Sequence, residues 1–266
     1  VTGRLQDELL AIALEAAARA GALLRDGRPA DLGVAATKSS PIDVVTEMDI
    51  AAEKLITGII TDRRPADGLL GEEGASNEGS SGVRWVIDPL DGTVNYLYGL
   101  PSWSVSIAAE VDGETVVGVI AAPMRGETCH AVLGEGAFVN GERAHCRPTP
   151  PFEHALVSTG FGYRLEVRTH QAAVAHRLIP QVRDIRRAGS AAIDLCDVGS
   201  GRLDGYYERG LHAWDYAAGA LFAREGGALT GGRPGEPPNP DLTVAAVPGT
   251  FERLQGLLDE LGAWHD

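Results

Sequence analysis

Apolar residues recur at steps of three or four from Leu5 through Leu9, Ile12, Ala16 and Ala20 to Leu23. That spacing lines one face of a helix and predicts an amphipathic first helix that stops near Gly27. A polar stretch, 35–40, leads into Pro41. Thr46-Glu47-Met48-Asp49 has the Thr-x-x-acid order in which side chain and backbone cap each other at a helix start. A second amphipathic helix should follow, turning Leu55, Ile56, Ile59 and Ile60 inward and ending before Pro65, whose ring cannot continue the hydrogen-bond pattern.

From Leu69 the pattern changes to strands. Leu69-Leu70 runs into Gly71-Glu72-Glu73, and further strands are expected at 84–90, 105–111 and 115–122, the last two joined as a hairpin by Asp112-Gly113. Another pair, 129–133 and 137–139, flanks the turn Gly134-Glu135-Gly136. Pro148-Thr149-Pro150-Pro151 is the candidate division between an N-terminal α+β half, 1–150, and a C-terminal α/β half, 151–266, packed as one compact unit. Beyond it, strand-like and helix-like segments alternate at 155–158, 169–179, 185–187, 190–199, 204–208 and 214–225. A turn-rich loop, 231–240, and a closing helix, 251–261, complete the chain. Helices first, strands next and then alternation predict an α+β protein with a mixed sheet covered by helices.

Composition narrows the class. Of 266 residues, 44% are hydrophobic and 23% charged, ordinary values for a chain long enough to bury a sizeable core. The apolar run 9–14 is short and ends at Glu15, so no secretory signal is expected, and no run reaches the roughly 18 apolar residues of a membrane span. A net charge of −14 opposes general attraction to nucleic acid or to an anionic membrane. Cys129, Cys146 and Cys196 are odd in number and form no Cys-x-x-Cys pair, which disfavours a disulfide framework or a zinc knuckle. A reducing, cytoplasmic location is the expectation.

The stretch from Trp85 to Tyr96 carries the most specific chemistry. An apolar strand, Trp85-Val86-Ile87, ends in Asp88-Pro89-Leu90-Asp91 and passes at once into Gly92-Thr93 and a helix start. Carboxylates and backbone carbonyls are the hard oxygen ligands that Mg²⁺ prefers, and a Gly-Thr helix start offers N–H groups and a hydroxyl to an anion. Metal ions gathered there would supply the cations an acidic protein needs in order to handle phosphate. Glu72 and Glu73 at another strand end, and Asp215 after Trp214, are singly no more than solvated or capping acids. Their combination carries the argument.

That combination resembles the signature segments of the inositol monophosphatase family: Gly71-Glu72-Glu73, then Asp88-Pro89-Leu90-Asp91-Gly92-Thr93, then Trp214-Asp215-Tyr216-Ala217-Ala218-Gly219. The segment from Lys38-Ser39-Ser40-Pro41 to Asp49 is similar to the family's mobile loop, and Gly189-Ser190-Ala191-Ala192 and Tyr206-Tyr207-Glu208 to its substrate-side segments. The resemblance spans nearly the whole chain and implies the family's layered αβαβα sandwich of the sugar-phosphatase type. It implies Mg²⁺ as cofactor, two or three ions, with Glu72, Asp88 and the Leu90 carbonyl at the first and Asp88, Asp91 and Asp215 at the second. A water activated by metal and oriented by Thr93 would attack, with Asp49 accepting from the Thr93 hydroxyl and Glu72 nearby, while Gly92 and Thr93 bind phosphate. Asp91, Ala191 and Glu208 would face the hydroxyls of a polyol, and Lys38 and Asp43 belong to the mobile loop. Lithium sensitivity and a homodimer are implied in the same way.

The expected function is Mg²⁺-dependent hydrolysis of myo-inositol 1-phosphate or a related polyol monophosphate. Alternatives are histidinol phosphate, fructose 1,6-bisphosphate or 3′-phosphoadenosine 5′-phosphate on the same fold, or an interaction protein of the transcription or ribosome-maturation machinery. His170 and His176 lie six apart on a helix, on different faces, and read as surface residues rather than ligands. Trp85, Trp103 and Trp214 read as core. The chain departs from the family pattern at Thr230-Gly231-Gly232, where an acidic residue often follows the Thr, and the change bears on the substrate mouth or the dimer.

Overall fold

The computed structural model describes residues 3–38 and 40–264, so Ser39 of the loop segment lies outside the described residues. In chain order the helices are α1 (Gly3–Asp26), α2 (Glu47–Arg63), α3 (Thr93–Leu97), α4 (Leu165–Leu178), α5 (Ala191–Gly199), α6 (Ala213–Glu225) and α7 (Pro248–Glu260). A short ribbon pairs β1 (Ala36–Thr37) with β2 (Val44–Val45). The larger sheet runs β10 (Glu142–Ala144), β9 (Gly136–Val139), β8 (Glu127–Val132), β7 (Glu114–Ala122), β6 (Ser104–Val111), β5 (Val83–Asp91), β3 (Gly68–Gly71) and β4 (Ser76–Asn77). It is antiparallel except where β3 lies parallel to β5. The smaller sheet runs β12 (Asp184–Arg186), β11 (Leu156–Thr159), β13 (Gly205–Glu208), β15 (Thr243–Ala246) and β14 (Leu229–Gly231).

These elements stack in five layers. The apolar stripe of α1, with Leu9, Ile12, Ala16 and Ala20 fully or almost fully buried, packs with α2 on one face of the large sheet against Trp85, Ile87, Val105 and Ile107. On the opposite face, α5 and α6 fill the space between the sheets around Val86, Ala108, Ile120 and Phe222. On the far side of the small sheet, Val174 and Leu178 of α4 and Leu254 and Leu258 of α7 cover Val157, Val244 and Ala246. The order is αβαβα. Gly118 shows how tightly α6 is pressed to the sheet: a Cβ there would lie 2.8 Å from the Ala218 carbonyl oxygen. This contact sets the height of Asp215, in the first turn of α6.

Several elements depart from the sequence reading. Helix α4 begins at Leu165, four residues early, because its first turn carries an outward Leu165, 74% exposed, and so gives no inward apolar signal. Helix α7 begins at Pro248, whose fixed φ and missing N–H suit a first helical turn. Strand β15 was not anticipated: Thr243-Val244-Ala245-Ala246 is a run of buried residues with no alternation, the pattern of a strand covered on both faces. His170 is half-buried and its Nε2 lies 2.8 Å from the Gly262 carbonyl oxygen, while His176 is exposed as expected. Trp85 and Trp103 are core residues, but Trp214 is only partly buried and stacks on His212 at 4.7 Å. The chain passes from the large sheet to the small one between Ala144 and Leu156, a stretch containing Pro148 to Pro151.

Candidate active site

A bulge at the end of β5 creates the site. Along a regular strand, residues three apart point to opposite faces. Here Asp88 pairs with Ser106 and Asp91 with Ser104, so three steps on β5 match two on β6, and the extra residue returns both carboxylates to one side. Pro89 suits the irregular position because it has no N–H to lose from the ladder. Leu90 N–H donates to Asp88 Oδ1 at 2.9 Å, fixing the first carboxylate. Gly92 follows with φ of +93°, and a Cβ there would lie 2.8 Å from the Ser102 carbonyl oxygen, so the turn into α3 requires glycine.

Glu72 and Asp215 arrive on other elements. Glu72 and Glu73 follow β3, whose parallel pairing with β5 brings them beside Asp88. Their turn is held by Glu53 of α2, whose carboxylate accepts from the N–H groups of Glu73 and Ala75 at 2.9 and 3.0 Å. Asp91 accepts from the Ser190 hydroxyl at 2.5 Å and from the Ala192 and Ala191 N–H groups at 2.8 and 3.3 Å, tying β5 to the start of α5. Asp215 accepts from His212 N–H at 2.6 Å. The Lys38 ammonium, from the β1–β2 connection, bridges Glu72 and Glu73 at 2.7 Å each. Lys38 N–H donates to the Asp43 carbonyl at 2.9 Å, which closes that connection over the acids.

Electrostatics mark the cluster as short of positive charge. Burial pushes Asp88 and Asp215 well above the usual carboxylate range, and the charges of Glu72 and Asp91 push both further. Burial lifts Asp91 to about 6 in spite of its hydrogen bonds from Ser190 and Ala192. Two negative charges about 5 Å apart at an effective dielectric of about 20 repel by about 3 kcal/mol, more than a typical net hydrogen bond returns. Burial alone would lower the Lys38 ammonium, but Glu72 and Glu73 outweigh it and hold the group above its ordinary value. Among the described residues no three His, Cys, Asp or Glu side chains form a finished metal cage. The acids are turned instead toward Ser190, His212, Leu90 N–H and Lys38. Their chemistry still suits a hard divalent cation: carboxylate and carbonyl oxygens only, clustered, with one ammonium as counter-charge.

Thr93 opens α3 with its hydroxyl 3.0 Å from both Asp49 Oδ1 and the Leu90 carbonyl. Asp49 is fully buried and its other oxygen accepts from the Thr46 N–H at 2.9 Å and the Thr46 hydroxyl at 2.5 Å. The capping box expected at 46–49 is therefore present, and its acid also reaches the site.

The opposite wall comes from the small sheet and the loops at its edge. The cavity measures about 470 Å³ and brings together Lys38, Asp43, Glu72, Asp88, Leu90, Asp91, Gly92, Thr93, Ala191, Glu208 and Asp215, whereas Asp49 stands behind Thr93. Tyr163, Arg187, His212 and Trp214 also line the cavity, positions that the sequence pattern does not predict. Arg187 and Tyr163 carry no local motif, but His212 stands two residues before the α6 signature and is a signal available in the sequence. Pro240 and Asp241, where the departing 231–240 loop ends, also line the mouth. Burial lifts Glu208 to about 7, against the opposing hydrogen bond from Tyr206 and the charge of Arg187.

The family model described as Inositol monophosphatase family matches residues 5–261. The inositol-1-monophosphatase of Mycobacterium leprae is 40% identical over 272 residues, covering 95% of this chain and 94% of that protein. The Nus factor SuhB of Pasteurella multocida is 43% identical over 223 residues, covering 83% and 84%. A crystal structure of the extragenic suppressor protein suhB from Bartonella henselae superimposes with a TM-score of 0.89 at 34% identity, covering 95% of this chain and 99% of that one.

Proposed function

Because this chain belongs to the inositol monophosphatase family, we propose that it is a Mg²⁺-dependent phosphomonoester hydrolase acting on myo-inositol 1-phosphate or a related polyol monophosphate. The observation that carries this reading is the gathering of Glu72, Asp88, Asp91 and Asp215 from two strand ends and one helix start around a single cavity. Glu72, Asp88 and the Leu90 carbonyl would hold one ion and Asp88, Asp91 and Asp215 a second, and a third would sit near Glu72. Bound Mg²⁺ would supply positive charge against phosphate oxygens and make a nearby water more acidic.

The protein groups do the rest. With its proton engaged by Asp49, the Thr93 oxygen presents a lone pair that accepts from the attacking water and aims it at phosphorus. The Gly92 and Thr93 N–H groups would take the phosphate oxygens, their partial positive charge fixed by the turn. Water gives up a proton as it bonds to phosphorus, the bond to the ester oxygen breaks, and the released alkoxide takes up a proton from solvent, so that inorganic phosphate and an alcohol leave. On the far side, Glu208 would accept from the substrate's hydroxyls, with Asp91 and Ala191 at the ring edge.

Phosphate release from inositol 1-phosphate, fructose 1,6-bisphosphate, 3′-phosphoadenosine 5′-phosphate and histidinol phosphate tests the substrate. Preference for inositol 1-phosphate supports the polyol reading; preference for another of the four keeps the hydrolase and removes the polyol assignment. The similarity to proteins named Nus factor SuhB motivates a second reading, an interaction role in transcription. A protein of charge −14 is suited to a basic protein surface rather than to RNA. Recovery of transcription proteins by an Asp88→Asn variant lacking turnover would support it.

A further inference from the structure

We propose that Tyr206 is a positioning residue for substrate selection: it commits one oxygen of Glu208 to the protein and leaves the other as the single acceptor offered to the alcohol part of the substrate. The proposal rests on the reading of Glu208 as the substrate-facing acid and specifies which donor that acid will take.

Tyr206 and Glu208 are two apart on β13 and so project to the same face of the small sheet. The Tyr206 hydroxyl donates to Glu208 Oε2 at 2.8 Å, and Tyr206 itself is 0% exposed. β13 is an inner strand, paired with β11 on one side and β15 on the other, so this geometry is fixed by two ladders. Gly160, just past β11, presses on the same carboxylate. A Cβ at position 160 would lie 1.9 Å from Oε2 and 2.1 Å from Oε1. The acid therefore lies flat against bare backbone, with one oxygen tied, and cannot rotate freely. Oε1 accepts no hydrogen bond from the described residues, and Glu208 lines the cavity.

The surrounding charges do not supply a competing donor at that oxygen. Arg187, ahead of α5, favours the ionised acid by its charge, while Asp91 of β5 opposes it. Asp194 of α5, Asp215 of α6 and the Tyr163 and Tyr207 hydroxyls each sense the Glu208 charge without bonding to it. A fixed single acceptor selects an alcohol that brings a hydroxyl or ammonium donor to one point. It disfavours a group that only accepts, such as a second phosphate or an ether oxygen.

Tyr206→Phe removes one oxygen from a buried ring and nothing else. With inositol 1-phosphate, KM should rise about fivefold to tenfold, the scale of one hydrogen bond, while kcat stays within about twofold. Turnover of an aryl phosphate, which has no ring hydroxyl to place, should not change. A crystal structure of the variant should show the Glu208 carboxylate turned away from its parent position. An unchanged KM, an equal loss on both substrates, or an unmoved carboxylate would overturn the proposal. If the phenylalanine variant does not fold, Gly160→Ala moves the same carboxylate from the other side and must give the same split between substrates. Should the parent protein hydrolyse neither ester, the phosphatase reading fails by itself, and the carboxylate position in the variant still decides the role of Tyr206.

Discussion

The Thr93 hydroxyl lies 3.0 Å from Asp49 Oδ1, joining the first residue of α3 to a helix cap 44 residues earlier in the chain. Both oxygens of Asp49 are thereby occupied, Oδ2 by Thr46 and Oδ1 by Thr93. Burial raises Asp49 above the usual carboxylate range while these hydrogen bonds oppose the rise. One acid thus caps α2 and fixes the hydroxyl that faces the cavity.

Thr93→Val should separate these tasks. It keeps the shape and the Asp49 cap but removes the hydroxyl, so kcat is expected to fall about 10²-fold to 10⁴-fold with little change in melting temperature. Asp49→Ala should lose activity and also about 1 kcal/mol of stability through the cap. Steady-state kinetics and thermal denaturation of both variants check the pair; full activity in the valine variant contradicts the role of Thr93.

Metal should stabilise the fold through the same acids. Adding Mg²⁺ to chelator-treated protein is expected to raise the melting temperature, by about 2.7 kcal/mol of stability at a hundredfold excess over Kd. Asp88→Asn, which removes a charge from a crowded site, should leave the metal-free protein as stable as the parent or more so and abolish most of the Mg²⁺ response. Scanning calorimetry with and without Mg²⁺ reads both effects, and an undiminished response in the variant would remove Asp88 from the ligand set.

The parts of this site legible in the sequence are those written locally. Asp88 and Asp91 follow an apolar run, the 46–49 cap has its own spacing, and Glu72 sits at a strand end. What stayed hidden depends on distant segments. Glu53 looks like any polar position on α2, yet it holds the Glu72-Glu73 turn because β3 is packed against that helix. Trp214 reads as core by composition, yet its ring forms cavity wall because α6 begins at the opening between the sheets. Strand β15 escaped notice because four small buried residues carry no period.

Glu53 offers a prediction of its own. A Cβ on Gly71 would lie 2.2 Å from Glu53 Oε2, so the carboxylate is lodged against bare backbone at the turn that presents Glu72. Glu53→Ala leaves the Glu73 and Ala75 N–H groups without their acceptor, at a cost of about 1 to 3 kcal/mol. Apparent Mg²⁺ affinity should weaken about tenfold, the lower end of what loss of a supporting shell does. Titration of activity against Mg²⁺ measures this; unchanged metal dependence would make Glu53 purely structural.

Glu208 gives the pH dependence. Its folded value of about 7 lies above the ordinary 4.5, so below about pH 7 the acid is largely protonated and a poorer acceptor. KM for a polyol phosphate should therefore improve as pH rises through 7, while KM for an aryl phosphate should show no such limb. Glu208→Gln should flatten the polyol limb and raise KM at high pH, sparing aryl phosphate turnover. Equal effects on both substrates would count against the assignment.

The most direct measurement is phosphate release from inositol 1-phosphate by the unmodified protein and by Asp88→Asn, each with Mg²⁺ and with chelator. Turnover by the unmodified protein in Mg²⁺, loss of that turnover in chelator, and a variant inactive in both are expected. Turnover that persists in chelator, or that survives in Asp88→Asn, would contradict the proposed metal-dependent hydrolysis.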